Sequence, residues 1–253
     1  MGYQVAEEFD IIHDHMGTLS LPTANLSKTP VLMTYHGPFT QEVQDIYGVL
    51  NSPYVASISK NQGSVLSNQI NHIGTVYNGL QMDDYPFSTI PGDYLLFVGR
   101  ITLEKGVHHA INVAKKLGKK LVIAAKLDKA FPPDVEYYEN QIKPNLDDQI
   151  QWIGEVDEKE RNELMKGALA FLHPVTWPEP FGLTLIESMA CGTPVVAFGL
   201  GSIPEVISDG KSGFVVHTEE QMAEAVAKIG MLDRKECRNY AISQFGALRV
   251  EIL

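Results

Sequence analysis

The chain has 253 residues, of which 44% are hydrophobic, and its formal net charge is −11. This length allows one large domain or two modest ones, and the negative charge argues against nucleic acid or an anionic membrane surface as a partner. No apolar run approaches the roughly 20 residues that span a bilayer. Two cysteines, Cys191 and Cys237, provide no disulfide framework, which favours a reducing, cytoplasmic environment.

The first eighty residues predict four short strands, which polar, helix-capable segments separate. These strands are Phe9–His13, Val31–His36, Tyr54–Ser59 and His72–Tyr77. Segments of this length favour parallel strand pairing through crossover connections. Turn-forming residues are frequent from Asn78 to Gly92. We interpret residues 85–92 as a linker between a domain over residues 1–84 and a second domain.

The second domain, residues 93–232, shows a regular alternation of strands and helices. The predicted strands are Tyr94–Val98, Lys120–Ala125, Gln149–Ile153, Ala168–Leu172, Val195–Phe198 and Gly213–Val216. The predicted helices are Val107–Leu117, one that includes Tyr137–Ile142, Asp157–Gly167, Leu183–Ala190 and Thr218–Ile229, with a turn at Pro204–Ile207. This alternation predicts a doubly wound parallel sheet. Residues 233–253 are interpreted as a C-terminal helix that returns toward the first domain.

The stretch from Glu179 to Pro194 organises the second domain. Pro180 keeps the chain extended before Gly182, and a helix of about two turns follows over Leu183–Ala190. The free N–H groups and dipole of that helix favour an anion. Carboxylates before and within the helix, Glu179 and Glu187, can accept hydrogen bonds from hydroxyls. The stretch therefore predicts binding of a phosphate-linked sugar, although both glutamates could instead be solvated surface residues.

Two cations follow a predicted buried strand of the same domain. Arg100 follows Tyr94–Val98, Lys105 comes five residues later, and Gly106 follows the lysine. Ligands bind at the carboxyl ends of strands in such sheets, where these cations could neutralise a diphosphate and stabilise the charge that grows on it as the sugar leaves. The alternative is an exposed pair of cations on a loop.

These residues carry a resemblance to a known family. Seven residues separate Glu179 from Glu187 and Pro-Phe-Gly follows the first acid, which resembles the signature of the retaining glycosyltransferases of family four, the glycosyl transferases group 1. Gly99-Arg100 with Lys105-Gly106, and the run over residues 201–214, match further signatures. The resemblance implies the GT-B fold of two Rossmann-like domains. It also implies transfer of a hexose, with retention of configuration, from a nucleotide diphosphate sugar, expected to be UDP-linked, to an unidentified acceptor.

The resemblance also implies roles for individual residues. Arg100 and Lys105 would hold the donor diphosphate, Glu179 the sugar hydroxyls and Glu187 the ribose hydroxyls. His36 matches the histidine that reaches the donor sugar across the cleft, although the residue alone is also compatible with a satisfied buried histidine. The remaining donor-binding residues, which act partly through backbone groups, are Ile153, Gly154, Phe181, Gly182, Leu183 and Thr184.

Other chemistries lack the patterns that they require. The sequence has no His/Cys cluster with zinc spacing and no Asp-x-Asp pair at a strand end, so we expect no metal and no cofactor. Gly199-Leu200-Gly201 is only part of a dinucleotide fingerprint, which makes an NAD-dependent dehydrogenase a poor alternative.

The N-terminal domain is expected to be incomplete in this chain. By the resemblance, it should begin with about three further strands and a glycine-rich loop near the acceptor. Four strands alone would leave an interior strand as an open edge. We therefore expect either a truncated chain or a second polypeptide or oligomer that covers the sheet. The alternative function is accordingly a donor-binding subunit or fragment that needs another chain for activity.

Overall fold

A computed structural model describes residues 2–247 of the protein. The contacts divide the chain into two compact units between Asn78 and Gly79. The first unit contains a parallel sheet with the strand order β1-β2-β3-β4. Its elements are β1 (Ile12–Asp14), α1 (Leu21–Ala24), β2 (Val31–Thr34), α2 (Gln41–Val49), β3 (Tyr54–Ser57), α3 (Lys60–Ser64) and β4 (Asn71–Thr75), with 3-10 turns at Gly2–Glu8 and Gly17–Leu19.

One face of this sheet forms the core of the first unit. Val31, Met33 and Val55 are buried there in one cluster with Leu21 of α1 and Tyr47 of α2. Because alternate residues of a strand point to opposite faces, the residues that alternate with Val31, Met33 and Val55 lie on the other face of the sheet. The strands are those that the sequence predicts, and their ends differ from the predicted ends by at most three residues.

The second unit contains a six-stranded parallel sheet with the order β10-β9-β8-β5-β6-β7. Its strands are β5 (Tyr94–Arg100), β6 (Lys120–Lys126), β7 (Ile150–Gly154), β8 (Ala170–His173), β9 (Val195–Phe198) and β10 (Gly213–Val216). Its helices are α4 (Val107–Leu117), α5 (Pro132–Tyr137), which continues as a π-helix over Tyr138–Ile142, α6 (Glu158–Gly167), α7 (Leu183–Ala190), α8 (Ile203–Val206), α9 (Glu219–Lys228) and α10 (Arg234–Phe245). Short 3-10 turns occur at Met82–Asp84, Leu103–Lys105, Lys143–Asn145 and Ile229–Met231.

The chain enters this sheet in its middle and winds outward in both directions. From β5 it moves through β6 to β7, and it then returns to β8 on the other side of β5. The prediction of a doubly wound α/β sheet is confirmed. In such a sheet the crevice outside the carboxyl ends of the strands opens where the order reverses, which here is between β5 and β8.

Three segments differ from their predicted form. The segment Pro204–Ile207, predicted as a turn, overlaps the short helix α8. The C-terminal helix predicted over residues 233–253 corresponds to α10, which ends at Phe245, and residues 248–253 of the prediction lie outside the described residues. The Arg238 guanidinium donates to the Met82 and Tyr85 carbonyls (3.1 and 3.0 Å), so residues that precede the predicted linker already pack with the second unit.

None of the helices within residues 2–247 combines the length and the apolar character that crossing a bilayer requires.

Candidate active site

Three loops at the carboxyl edge of the second sheet are tied to one another by backbone hydrogen bonds. The Thr176 N–H, beyond β8, donates to the Glu104 carbonyl beyond β5 at 2.8 Å. The Ser202 N–H, beyond β9, donates to the Glu179 carbonyl at 2.9 Å. Loops from neighbouring strands therefore form one continuous surface at the point where the strand order reverses.

Two glycines allow these loops to approach so closely. A Cβ on Gly106 would lie 2.1 Å from the Pro174 carbonyl oxygen, and one on Gly201 would lie 2.4 Å from the Glu179 backbone. Both glycines also have positive φ angles, of 69° and 64°. A side chain at either position would meet both a backbone clash and an unfavourable conformation, so glycine is required there.

Lys105 and Glu179 form an ion pair at the centre of this surface. The Lys105 Nζ lies 2.7 Å from the Glu179 Oε2, and the two side chains are only 16% and 12% exposed. The same ammonium group lies 4.9 Å from the centre of the Trp177 ring, a cation–π distance. The structure thus brings together two residues that the sequence predicted for the same ligand, and it pairs them directly.

His173, the last residue of β8, lies behind this pair. Its Nε2 is 3.8 Å from the Glu179 Oε2, and its side chain is 5% exposed. Burial first, and then the positive charge of Lys105, lower the pKa of His173 to about 3. The ring is therefore neutral near pH 7. His173 was not among the residues predicted from the sequence, although its position at a strand end before Pro174 is a signal that could have identified it.

Arg100 lies at the same edge but is far more accessible. It is the last residue of β5, its side chain is 61% exposed, and its Nη2 is 3.7 Å from the Glu104 Oε1. An exposed i,i+4 pair of this length is weak. The guanidinium is therefore available for a ligand at the reversal point of the sheet.

The start of α7 faces this edge without a side-chain cap. Gly182 occupies the capping position and has no side-chain oxygen to accept from the helix N–H groups. Leu183 is 44% exposed and Thr184 is partly exposed, whereas Phe181 is buried and makes an edge-to-face contact with Phe245 (5.8 Å between ring centres). The Phe181 side chain thus anchors the loop, and its carbonyl accepts a hydrogen bond from the Ser202 hydroxyl at 3.0 Å.

Glu187, one turn into α7, is buried and paired with α6. The Arg161 Nη2 lies 3.2 Å from its Oε1, while its Oε2 has no hydrogen-bond partner among the residues that the structure describes. Burial raises the pKa of Glu187, and the neighbouring Arg161 only partly opposes this. The interpretation of Glu187 as a solvated surface residue is thus wrong, because the inward face of α7 carries it into the protein. Its partner Arg161 was not predicted from the sequence.

Ile153 and Gly154 end β7, an outer strand of the sheet. One strand, β6, separates β7 from β5, which corresponds to about 10 Å between β7 and β5. Ile153 is 42% exposed, and the Trp152 indole before it donates to the Ala125 carbonyl at 2.8 Å. The end of β7 is thus held in place at a distance from Arg100 that a nucleotide could span.

His36 lies in the first unit, two residues beyond β2, among other histidines. It is exposed, so the interpretation of a satisfied buried histidine is wrong, and its Nε2 lies 2.9 Å from the Nδ1 of His15. Partial shielding of the ring, followed by the charges of His15 and His13, lowers the pKa of His36. No role for His13 or His15 was predicted from the sequence. Parallel pairing of β1 with β2 brings them to His36, because both strands end at one edge.

Comparisons with known proteins identify the family of this chain. The model of the family described as "Glycosyl transferases group 1" matches residues 90–244. The chain is 32% identical over 164 residues to alpha-maltose-1-phosphate synthase of Mycolicibacterium smegmatis, covering 58% of this chain and 41% of that protein. It is 26% identical over 260 residues to phosphatidyl-myo-inositol mannosyltransferase of the same organism, covering 91% and 64%. The chain thus spans less than two thirds of the length of these relatives.

Solved structures share the fold over nearly the whole chain. Anabaena HepE in complex with UDP and glucose has a TM-score of 0.84 at 19% identity, covering 99% of this chain and 78% of that one. Sucrose-phosphate synthase from Thermosynechococcus elongatus has a TM-score of 0.83 at 18% identity, covering 99% and 73%. The two parallel sheets are those of GT-B glycosyltransferase structures, as the sequence predicted. Because the family model matches more than half of its residues, the chain belongs to the glycosyl transferases group 1 family.

Proposed function

We propose that the protein is a retaining hexosyltransferase that takes its sugar from a UDP-linked donor. The observation that carries this proposal is the meeting of Arg100, Lys105, Glu179 and the uncapped start of α7 at the reversal point of the second sheet. Membership of the family supports it, as does the HepE structure of the same fold, in which UDP and glucose are bound to that protein.

In this proposal the two cations hold the diphosphate. Arg100 is exposed and presents a planar fork that suits bidentate phosphate binding, while Lys105 supplies a point charge. Both would stabilise the negative charge that develops on the phosphate when the bond to the sugar breaks. We propose that these cations serve in place of a metal ion.

The two carboxylates would bind different parts of the donor, the sugar and the ribose. Glu179, beside the uncapped helix start, would accept hydrogen bonds from sugar hydroxyls. Glu187 would accept from the ribose, because Arg161 occupies only one of its oxygens and the other has no partner within residues 2–247. Ile153 and Gly154 would contact the base through their backbone, and a role of His36 toward the sugar stays a prediction from the resemblance.

The proposed reaction replaces one bond of the sugar by another on the same face. The bond from the anomeric carbon to the phosphate oxygen breaks, and a bond from that carbon to an acceptor hydroxyl forms. The leaving phosphate oxygen takes up the acceptor's proton, so UDP is released with no other reactant consumed.

Calorimetric titration with UDP and GDP tests donor binding. We expect heat from UDP. If neither nucleotide gives heat and neither competes for binding, the proposal is contradicted. Glu187→Ala should weaken UDP itself, whereas Glu179→Ala should weaken mainly UDP-glucose. Glu187→Gln serves as the shape-matched control for Glu187→Ala. Equal losses for both ligands in both variants would overturn the division of roles.

We also propose that a second polypeptide or a second copy covers the sheet of the first unit. In the described part of the chain β1 pairs only with β2, and Phe9 and Ile11 beside it are 57% and 56% exposed. An open edge strand presents unpaired N–H and C=O groups, to which another chain can pair. Light scattering should therefore show a mass above the 28.0 kDa of one chain, and an active monomer would contradict this. Donor hydrolysis measured with and without the partner separates an enzyme from a donor-binding subunit.

A further inference from the structure

The two side chains proposed for different parts of the donor are bound to each other in the free protein. Lys105 is proposed for the diphosphate and Glu179 for the sugar, yet Nζ and Oε2 lie 2.7 Å apart with little exposure. Neither group can make its full set of ligand contacts while this ion pair is intact. Donor binding must therefore either share or break the pair.

His173 is placed to replace Lys105 as the partner of Glu179. Its Nε2 lies 3.8 Å from the same Oε2 and has no hydrogen-bond partner among residues 2–247. A buried polar nitrogen without a partner is unusual and calls for an explanation. Because the ring is neutral, one of its nitrogens carries a proton that it can donate.

We propose that donor binding exchanges the partner of Glu179: the diphosphate draws Lys105 away, and His173 donates from Nε2 to Glu179 Oε2. This inference rests on the proposed function and deepens it. His173 is then a positioning residue that acts through Glu179. It holds one carboxylate oxygen and leaves the other for the sugar.

The surroundings of the three groups favour this exchange. A lysine has a flexible four-carbon stem and can swing toward a diphosphate, which carries more charge than one carboxylate. Glu179 is only 12% exposed, so without a new donor it would be left as a poorly solvated carboxylate. An approach of about 1 Å brings Nε2 into hydrogen-bond range. His173 ends a buried strand, and its ring lies 5.7 Å from that of Phe171.

Long-range ¹H–¹⁵N spectra of the histidine rings test the exchange in the unmodified protein. The chain has eight histidines, and a spectrum of His173→Gln assigns the signal of His173. Saturation with UDP should give an Nε2-protonated ring with a downfield, hydrogen-bonded proton. Saturation with uridine, which has no phosphate to draw Lys105 away, should leave the signal of the free protein.

Affinities of two variants provide a second test. His173→Leu cannot donate, so its affinity for UDP should fall about tenfold, while its affinity for uridine should not change. His173→Gln can donate and should recover most of the loss. Equal losses for UDP and uridine, or equal losses in both variants, would indicate a packing role and overturn the inference.

Different results contradict the proposed function and the exchange of the Glu179 partner. Absence of UDP binding by the unmodified protein overturns the proposed function and the exchange together. UDP binding that leaves the His173 signal unchanged overturns the exchange alone, whatever the folding of the variants.

Discussion

The two ends of the Glu179–Glu187 stretch hold a carboxylate in different ways. Glu179 lies on a loop, its partner Lys105 lies on another, and the Nε2 of His173 is 3.8 Å from Glu179 without a hydrogen-bond partner among the described residues. Glu187 lies within one helix and its partner Arg161 within another, so neither can move far. The comparison indicates that the first ion pair is exchangeable and that the second is part of the framework.

The largest expected effect is on the fixed pair. Arg161→Met would leave Glu187 buried without its cation, which should lower the free energy of unfolding by about 3–5 kcal/mol. Urea unfolding measures this loss. The exposed Lys159 on the same helix provides the control Lys159→Met, which should change little. A loss below about 1 kcal/mol would mean that the pair is not part of the framework.

The exchangeable end should affect ligands more than stability. Arg100→Ala should weaken UDP binding by about 1.5–3 kcal/mol, the range for a hydrogen bond to a charged group, and leave the urea midpoint unchanged. Lys126 lies opposite Arg100 in register on β6 and pairs with Glu155, so Lys126→Ala is the matched control. Equal losses of UDP affinity in both variants would indicate a general charge effect instead of a specific contact.

The two ends should also respond to pH with opposite sign. His173 has a lowered folded pKa, so as pH falls from about 6.5 toward 3 the unfolded chain takes up its proton first and stability is lost, by at most about 1.4 kcal/mol per pH unit. Glu187 has a raised pKa in the folded protein, so its contribution to stability is lost as the pH rises above the ordinary pKa of a glutamate. Both contributions can be measured from the unfolding free energy between pH 4 and 7 of three proteins: the unmodified protein, His173→Leu and Glu187→Gln. A parallel pH profile for all three would contradict the assignment.

The smallest effect concerns the helix that carries Arg161. The Asp157 side chain accepts from the Glu160 N–H at 2.8 Å and caps α6, so Asp157→Ala should cost about 1 kcal/mol. Thr218 caps α9 through the Gln221 N–H at 3.2 Å, and Thr218→Ala should cost a similar amount. Only Asp157→Ala should also weaken UDP binding, because α6 positions Arg161. Equal UDP affinities in the two variants would show that the cap does not influence the site.

The prediction of the elements succeeded because local signals specify them. Strand and helix periodicity, capping residues and glycine stops are properties of short segments. The helices α4 and α7 and the strands β9 and β10 have the bounds that the sequence predicts, and α6 begins one residue after the predicted start at Asp157. The fold class followed from the order of these elements, because strand–helix alternation leaves few topologies.

The site could be predicted only in part. Motif spacing indicated Arg100, Lys105, Glu179 and Glu187 as candidate site residues. Their roles toward a donor stay predictions. Their partners were missed, because a contact such as the one between Arg161 and Glu187 joins residues 26 positions apart and leaves no local pattern.

The sequence by itself determined which segments become strands and helices and which motif residues stand at their ends. Only the tertiary structure decided how each charged group is used. Packing of the loops beyond β5 and β8 placed Lys105 against Glu179, and burial at the end of β8 keeps the His173 ring neutral. Pairing and burial depend on residues far apart in the chain, so they arise only when the sheet brings its carboxyl ends together.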